Sequence, residues 1–221
     1  MNHVNLVILT PGHSMMNSYV KSLLATTRML DEKGISWAFS NDYCSHVADA
    51  REMTLSGTRT NDIFETRPFS GNLTYDKMLW IDSDIAWEPQ DVLKLYESDK
   101  DIVSGAYILG DGSVASYRKM LSGPMSFEEV SNLTELTEID GAGFGFICFK
   151  SGIFENLSRP WFQSVPHPYV IDGVEHIIPI MGEDLSLCAR VKKIGYKIWL
   201  DPTVRLVHHK VSKLTWNGVM P

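Results

Sequence analysis

Strand and helix signals alternate through the first half of this chain, and few folds accommodate that order. VNLVILT (4–10) reads as a strand that stops at Pro11-Gly12. A helix follows, with Ser14 its expected N-cap and Gly34 its stop, because Met16, Val20, Leu23, Leu24, Thr27 and Leu30 recur at helical spacing. SWAFS (36–40) is a second strand, HVADAREMTL (46–55) a second helix and KMLWI (77–81) a third strand. Pro89 opens a further helix to Leu95, since proline is tolerated at the first helical position. Such alternation implies an α/β fold: a mostly parallel central sheet with helices on both faces.

The second half is more mixed. DIVSGAYIL (101–109), FGFICFK (144–150), YKIWL (196–200) and VRLVHH (204–209) read as strands. SGIFENL (151–157) is a short helix, and GEDLSLCARVKKIG (182–195) a longer one ending at Gly195. Residues 110–135 suggest hairpin and loop, and the proline-rich 159–181 stretch suggests an irregular segment. No repeat, low-complexity tract or linker is visible in the 221 residues, which suits one domain.

Composition narrows the partners. A net charge of −7 argues against a nucleic-acid binder, which would show a basic face. It leaves room for an anionic small ligand where a metal or local dipoles reverse the sign. Cys44, Cys148 and Cys188 form no CxxC pair and read as reduced, buried thiols, which favours a cytoplasmic setting. MNHVNLVILTPGH has too short an apolar run for a signal peptide or anchor, and no segment approaches the ~20 apolar residues of a membrane span.

Four clusters carry chemistry. MLWIDSDIAW (78–87) sets Asp82 and Asp84 at the carboxyl end of a strand, where open α/β sheets bind ligands. Two carboxylates there repel each other unless a cation joins them, and hard divalent cations take carboxylates together with substrate phosphates. A solvated turn would use the same residues. Glu183 and Asp184 open a helix, where the dipole stabilises carboxylates and acidic residues are also common for purely structural reasons. His208 and His209 end the last strand and point to opposite faces, so one of them can meet the aspartates. The glycines of DGAGFGF (140–146) let a backbone pass close to a ligand, or serve a bend. No Walker motif or GxGxxG follows the first strand, which argues against a P-loop or dinucleotide enzyme.

The order of these pieces resembles the GT-A glycosyltransferases, in particular compact family-2-like enzymes such as those of large DNA viruses and phages. A first strand ending in TP precedes WIDSDIAW, then DGAGFGFICFK, then GEDLSLCARVKKIGYKIWLDPTVRLVHH. The resemblance implies a single GT-A domain, with a nucleotide-binding half over about 1–109 and an acceptor and catalytic half over about 110–221. The chain could equally be one module of a longer polypeptide. The implied activity is transfer of a sugar from a nucleotide-sugar donor, expected to be UDP-linked glucose or rhamnose, to a glycan acceptor hydroxyl.

Carried onto this sequence, the resemblance makes Asp82, Asp84 and His208 the binders of Mn2+ (or Mg2+), with His209 a substitute for His208. Asp82 would reach the donor ribose or the metal's water shell, with Ser83 between the two aspartates on the donor side. Thr10, Pro11 and His13 would frame the nucleotide, Asn41 and Asp42 would lie near its base, and Arg51 would hold the donor. Asp140, Gly141, Ala142 and Gly143 would line the sugar and acceptor side. Asp184, with Glu183 beside it, matches a catalytic carboxylate that takes the acceptor's proton. Tyr107, Trp161 and Tyr169 could stack on sugars or simply pack. A haloacid-dehalogenase-type phosphatase also uses DxD but wants Thr or Val where Ala86 stands. A non-catalytic sugar-binding module would not need these pieces in this order. Oligomeric state leaves no signal in the sequence.

Overall fold

The first strand explains the layering. In the computed structural model, which describes residues 2–57, 64–178, 181–210, 213–215 and 218–220, Leu6 to Leu9 are all fully buried. Leu6 and Ile8 join one apolar cluster, Val7 and Leu9 another. That is the period-two alternation of a strand covered on both faces.

In chain order, β1 (Asn2–Pro11) is followed by α1 (Asn17–Glu32), β2 (Trp37–Asp42), α2 (Val47–Ser56), β3 (Leu73–Ile81), β4 (Ile85–Ala86) and α3 (Pro89–Glu97). Next come β5 (Ile102–Ala106), β6 (Ser116–Tyr117), α4 (Phe127–Ser131), β7 (Thr137–Ile139), β8 (Gly141–Ala142) and β9 (Phe146–Lys150). The last third holds β10 (His167–Ile171), β11 (Val174–Ile178), α5 (Glu183–Lys193), β12 (Ile198–Arg205), β13 (Val207–His208), β14 (Lys213–Thr215) and β15 (Gly218–Met220).

Among the described residues the central sheet has seven strands in the order β2-β1-β3-β9-β5-β12-β7. β2, β1, β3, β5 and β12 run one way, while β9 and β7 oppose their neighbours, so the sheet is mostly parallel as expected. Helices cover both faces. α1 and α3 bring Tyr19, Leu30, Val92 and Leu95 to one side. α2 and α5 bring Leu55, Leu187, Cys188 and Val191 to the other, against Met78 and Trp80 of β3. No helix among the described residues is long and apolar enough to cross a membrane.

Several local expectations need correcting. The first helix starts at Asn17 and not after Ser14, and Met16 caps it without a side-chain bond. The preceding loop is held instead by the Met16 N–H, which donates to the Ser83 carbonyl at 3.0 Å. Residues 159–181 are not wholly irregular, because β10 and β11 form a hairpin. Asp172 and Gly173 turn it at φ 52° and 79°, the conformation that Asp-Gly hairpin turns demand. The expected strand at 196–200 and the start of that at 204–209 run on as β12, whose register shifts between Leu200 and Arg205 so that an irregularity absorbs Pro202, and the end of the second forms β13. The short helix at 151–157 shrinks to one 3-10 turn, Phe154–Asn156. The 110–135 stretch contains α4, capped by the Ser126 hydroxyl accepting from the Glu129 N–H at 3.1 Å. Cys148 and Cys188 are buried thiols, but Cys44 is only partly covered.

Candidate functional site

Strand alternation decides where Asp82 points. Met78 and Trp80 face the α2/α5 side, so Asp82, two residues on, faces it too. Arg51 of α2 waits there and donates from Nη2 to Asp82 Oδ1 at 3.1 Å and from Nε to Glu183 Oε1 at 3.3 Å. Its side chain is 4 % exposed, and its guanidinium lies 5.2 Å from the Phe144 ring centre and 5.8 Å from that of Trp80. Burial works against this charge, yet Asp82, Glu183 and Asp184 outweigh it and hold the guanidinium protonated above its ordinary range. Arg51 Nη1 is buried and has no hydrogen-bond partner among the described residues.

Asp84 meets the far end of the chain. The β4–β13 ribbon sets His208 opposite Ile85, and the His209 N–H donates to the Asp84 carbonyl at 2.8 Å. His208 Nε2 lies 3.2 Å from Asp84 Oδ2, while Nδ1 lies 2.7 Å from the Ile108 carbonyl. A carbonyl only accepts, so Nδ1 carries the hydrogen and Nε2 turns its other valence towards the carboxylate. In a neutral imidazole that is a lone pair facing an anion, an arrangement that calls for a cation or a proton between them. Lys210 Nζ stands 3.5 Å from the same Asp84 oxygen. The Tyr107 ring meets His208 edge-on at 5.2 Å and fixes its plane. His209 points the other way, with Nε2 2.8 Å from Ser18 Oγ on α1.

At the N-terminus of α5, Asp184 accepts the Leu185 N–H at 2.7 Å. Burial, then the neighbouring Glu183 carboxylate, push the Asp184 carboxyl up to about 6 against the pull of Arg51. Asp184 also feels Asp82, which places both carboxylates in one electrostatic neighbourhood around Arg51.

A cleft of about 300 Å³ opens above β1, β2 and β3, lined by Pro11, Gly12, Tyr43, Cys44, Ser45, Val47, Ala50, Arg51, Asp82, Ser83 and Asp84. Gly12 has φ 145° and would press a Cβ to 3.1 Å from Ser83 Oγ, so glycine is required where the loop crosses the aspartate turn. Of the residues expected on the nucleotide side, Pro11, Arg51, Asp82, Ser83 and Asp84 line this cleft. Thr10 is fully buried, with its hydroxyl on Tyr19. Asn41 gives both amide hydrogens to the Thr10 and Gly12 carbonyls, at 2.6 and 2.9 Å, and so shapes the loop. Asp42 accepts the Tyr43 N–H at 2.8 Å, and the His13 ring centre lies 5.1 Å from that of Tyr43.

Asp140 is tied to Lys192 Nζ and to the Met120 N–H. Gly141 and Ala142 form β8 and pair with β6. A Cβ on Gly143 would collide with the Tyr107 hydroxyl, and one on Gly145 would crowd the same ring, so these glycines admit Tyr107. Trp161 is fully buried and donates to the Phe154 carbonyl at 3.0 Å, so it packs. The Tyr169 side chain lies outside what the structure describes. Of the three expected metal ligands, Asp84 and His208 meet while Asp82 is committed to Arg51. Among the described residues no three His, Cys, Asp or Glu side chains converge as a ready-made metal site. Sequence reasoning missed Tyr43, Cys44 and Ser45 of the cleft wall, for which the only signal is the break between β2 and α2. It also missed Lys210.

No family model and no curated protein sequence matches the chain. Solved structures do. A197 from STIV superposes with a TM-score of 0.59 at 18% identity, covering 97% of this chain and 91% of that one. GalNAc-T7, solved with UDP, GalNAc and Mn2+, gives 0.54 at 10% identity, over 93% of this chain and 44% of that one. The chain thus spans less than half of GalNAc-T7. At these identities the likeness is one of architecture. With its sheet order and covered faces, the chain has the GT-A-type α/β fold that its sequence resembles.

Proposed function

We propose that the chain is a metal-dependent glycosyltransferase that moves a sugar from a nucleotide-sugar donor, UDP-linked, to a glycan hydroxyl. The observation that carries this reading is the Asp84–His208 pair, whose Ile108-anchored imidazole aims Nε2 at a carboxylate. A ring fixed through its other nitrogen by a carbonyl is the usual support of a metal-binding histidine. One carboxylate and one imidazole fit Mn2+ well and Mg2+ less well, with donor phosphates completing the shell. GalNAc-T7, of like fold, was solved with UDP and Mn2+, which supports the choice of donor and cation.

Asp84 and His208 would hold the cation at the mouth of the cleft. When bound, it supplies Lewis-acid neutralisation of the charge that grows on the leaving diphosphate. Arg51 holds both Asp82 and Glu183, so that Asp82 would face the donor and Glu183 the acceptor. Asp184 accepts the proton of the acceptor hydroxyl, whose oxygen forms the new bond to the anomeric carbon. The carbon–oxygen bond to the diphosphate breaks, and the nucleoside diphosphate leaves with that electron pair. A direct displacement of this kind inverts the anomeric centre.

The experiment is to incubate the protein with UDP-glucose, UDP-rhamnose and other nucleotide sugars, with Mn2+ or with chelator. Metal-dependent release of nucleoside diphosphate supports the reading. Phosphate release from simple monoesters instead would mark a phosphatase, and donor binding without turnover a sugar-binding module.

A further inference from the structure

Asp84 Oδ2 is approached by two groups that differ in freedom. His208 Nε2, at 3.2 Å, belongs to a side chain 8 % exposed and pinned at Ile108. Lys210 Nζ, at 3.5 Å, belongs to one 57 % exposed. The Lys210 backbone is nevertheless anchored, because its neighbour His209 donates to the Asp84 carbonyl at 2.8 Å. The ammonium therefore starts from a fixed backbone beside this carboxylate, while its flexible stem leaves it free to turn away. Asp82 has Arg51 as a buried counter-charge, and Asp84 has Lys210.

We propose that Lys210 is a built-in stand-in for the metal, holding Asp84 in the metal-free chain and turning to the donor's anionic phosphates once a divalent cation takes the carboxylate. This rests on the metal reading of Asp84 and His208 above. One carboxylate oxygen cannot serve an ammonium and a divalent cation equally well, so Lys210 weakens binding of the bare ion. Displaced next to a cleft lined by Ser83 and Asp84, the ammonium gains a new partner when a diphosphate is present. Lys210 would thus make metal and donor bind as a pair, and such coupling acts equally in both directions.

The test uses the full chain, wild type and Lys210→Gln, in two titrations. In the first, Mn2+ is added alone; in the second, UDP is added at saturating Mn2+. Lys210→Gln is expected to bind Mn2+ about three- to tenfold more tightly and UDP about three- to tenfold more weakly, the scale of one exposed charge at this separation. Lys210→Arg should keep the wild-type behaviour in both. Mn2+ affinity unchanged between the two proteins, or absent from both, overturns the inference, and so does unchanged UDP affinity. Mn2+-dependent UDP binding by the wild type in the same experiment shows whether the metal reading survives that failure.

Discussion

Arg51 donates from Nη2 to Asp82 Oδ1 across 3.1 Å and so ties the helix after the second strand to the turn after the third. The same guanidinium reaches Glu183, so one buried cation joins three elements that meet only in the folded chain. Taking charges out of water is tolerable only while each keeps its partner. Arg51→Met should leave Asp82 and Glu183 uncompensated and cost about 3–5 kcal/mol in urea unfolding. A loss under about 1 kcal/mol would mean that the pairs carry no weight in solution, as exposed ion pairs do.

Asp184 sets the expected pH dependence. Burial and Glu183 hold its carboxyl up at about 6, so the folded chain favours the protonated acid. That contribution to stability is fully present below the ordinary carboxylate value near ~4 and is lost as pH rises through about 6. Asparagine mimics the protonated acid. The melting-temperature advantage of Asp184→Asn over wild type should therefore grow between pH 4 and pH 8. The transfer rate should rise through the same window, and Asp184→Asn should lower it ~10²–10⁴-fold with UDP binding intact. Wild-type turnover by Asp184→Asn would shift the base assignment to Glu183.

Tyr107 and the glycines it touches give a third test. The Gly145 N–H donates to the Tyr107 hydroxyl at 3.1 Å, and a methyl on Gly143 would collide with that oxygen. Gly143→Ala should cost about 1–3 kcal/mol as an overpacked site. In the Tyr107→Phe background the same substitution should cost less, because the colliding atom is gone. Additive costs in this double-mutant cycle would show that the two sites do not meet as described.

Much of this arrangement is legible in the sequence wherever periodicity governs. The alternation Met78, Leu79, Trp80, Ile81 divides β3 between the two cores and sends Asp82 towards α2. Neighbouring histidines must also face opposite ways, and His208 and His209 do so. What stayed hidden depends on approach between distant segments. The pairing of Arg51 with Glu183 spans 132 residues, and nothing local announces that Arg51 is buried. The β10–β11 hairpin was masked by Pro166 and Pro168, although Asp172-Gly173 carried its turn signal. The single strand β12 was masked by Pro202, whose effect the shifted register absorbs. In DGAGFGF, Gly143 and Gly145 admit the close approach of Tyr107, while Gly141 faces the Leu185 and Met120 side chains.

As proposed, Asp84 and His208 bind the cation through which the donor is held. Calorimetry of UDP binding in excess Mn2+ and in excess chelator, with wild type, His208→Ala and His209→Ala, decides whether they do. Wild type should bind UDP with Mn2+ and lose most of that affinity in chelator. His208→Ala should weaken the Mn2+-dependent part while keeping its fold, and His209→Ala, whose ring contacts Ser18, should behave as wild type. UDP affinity that is the same in chelator as in Mn2+, or unchanged by His208→Ala, would rule out a donor held through a cation on Asp84 and His208.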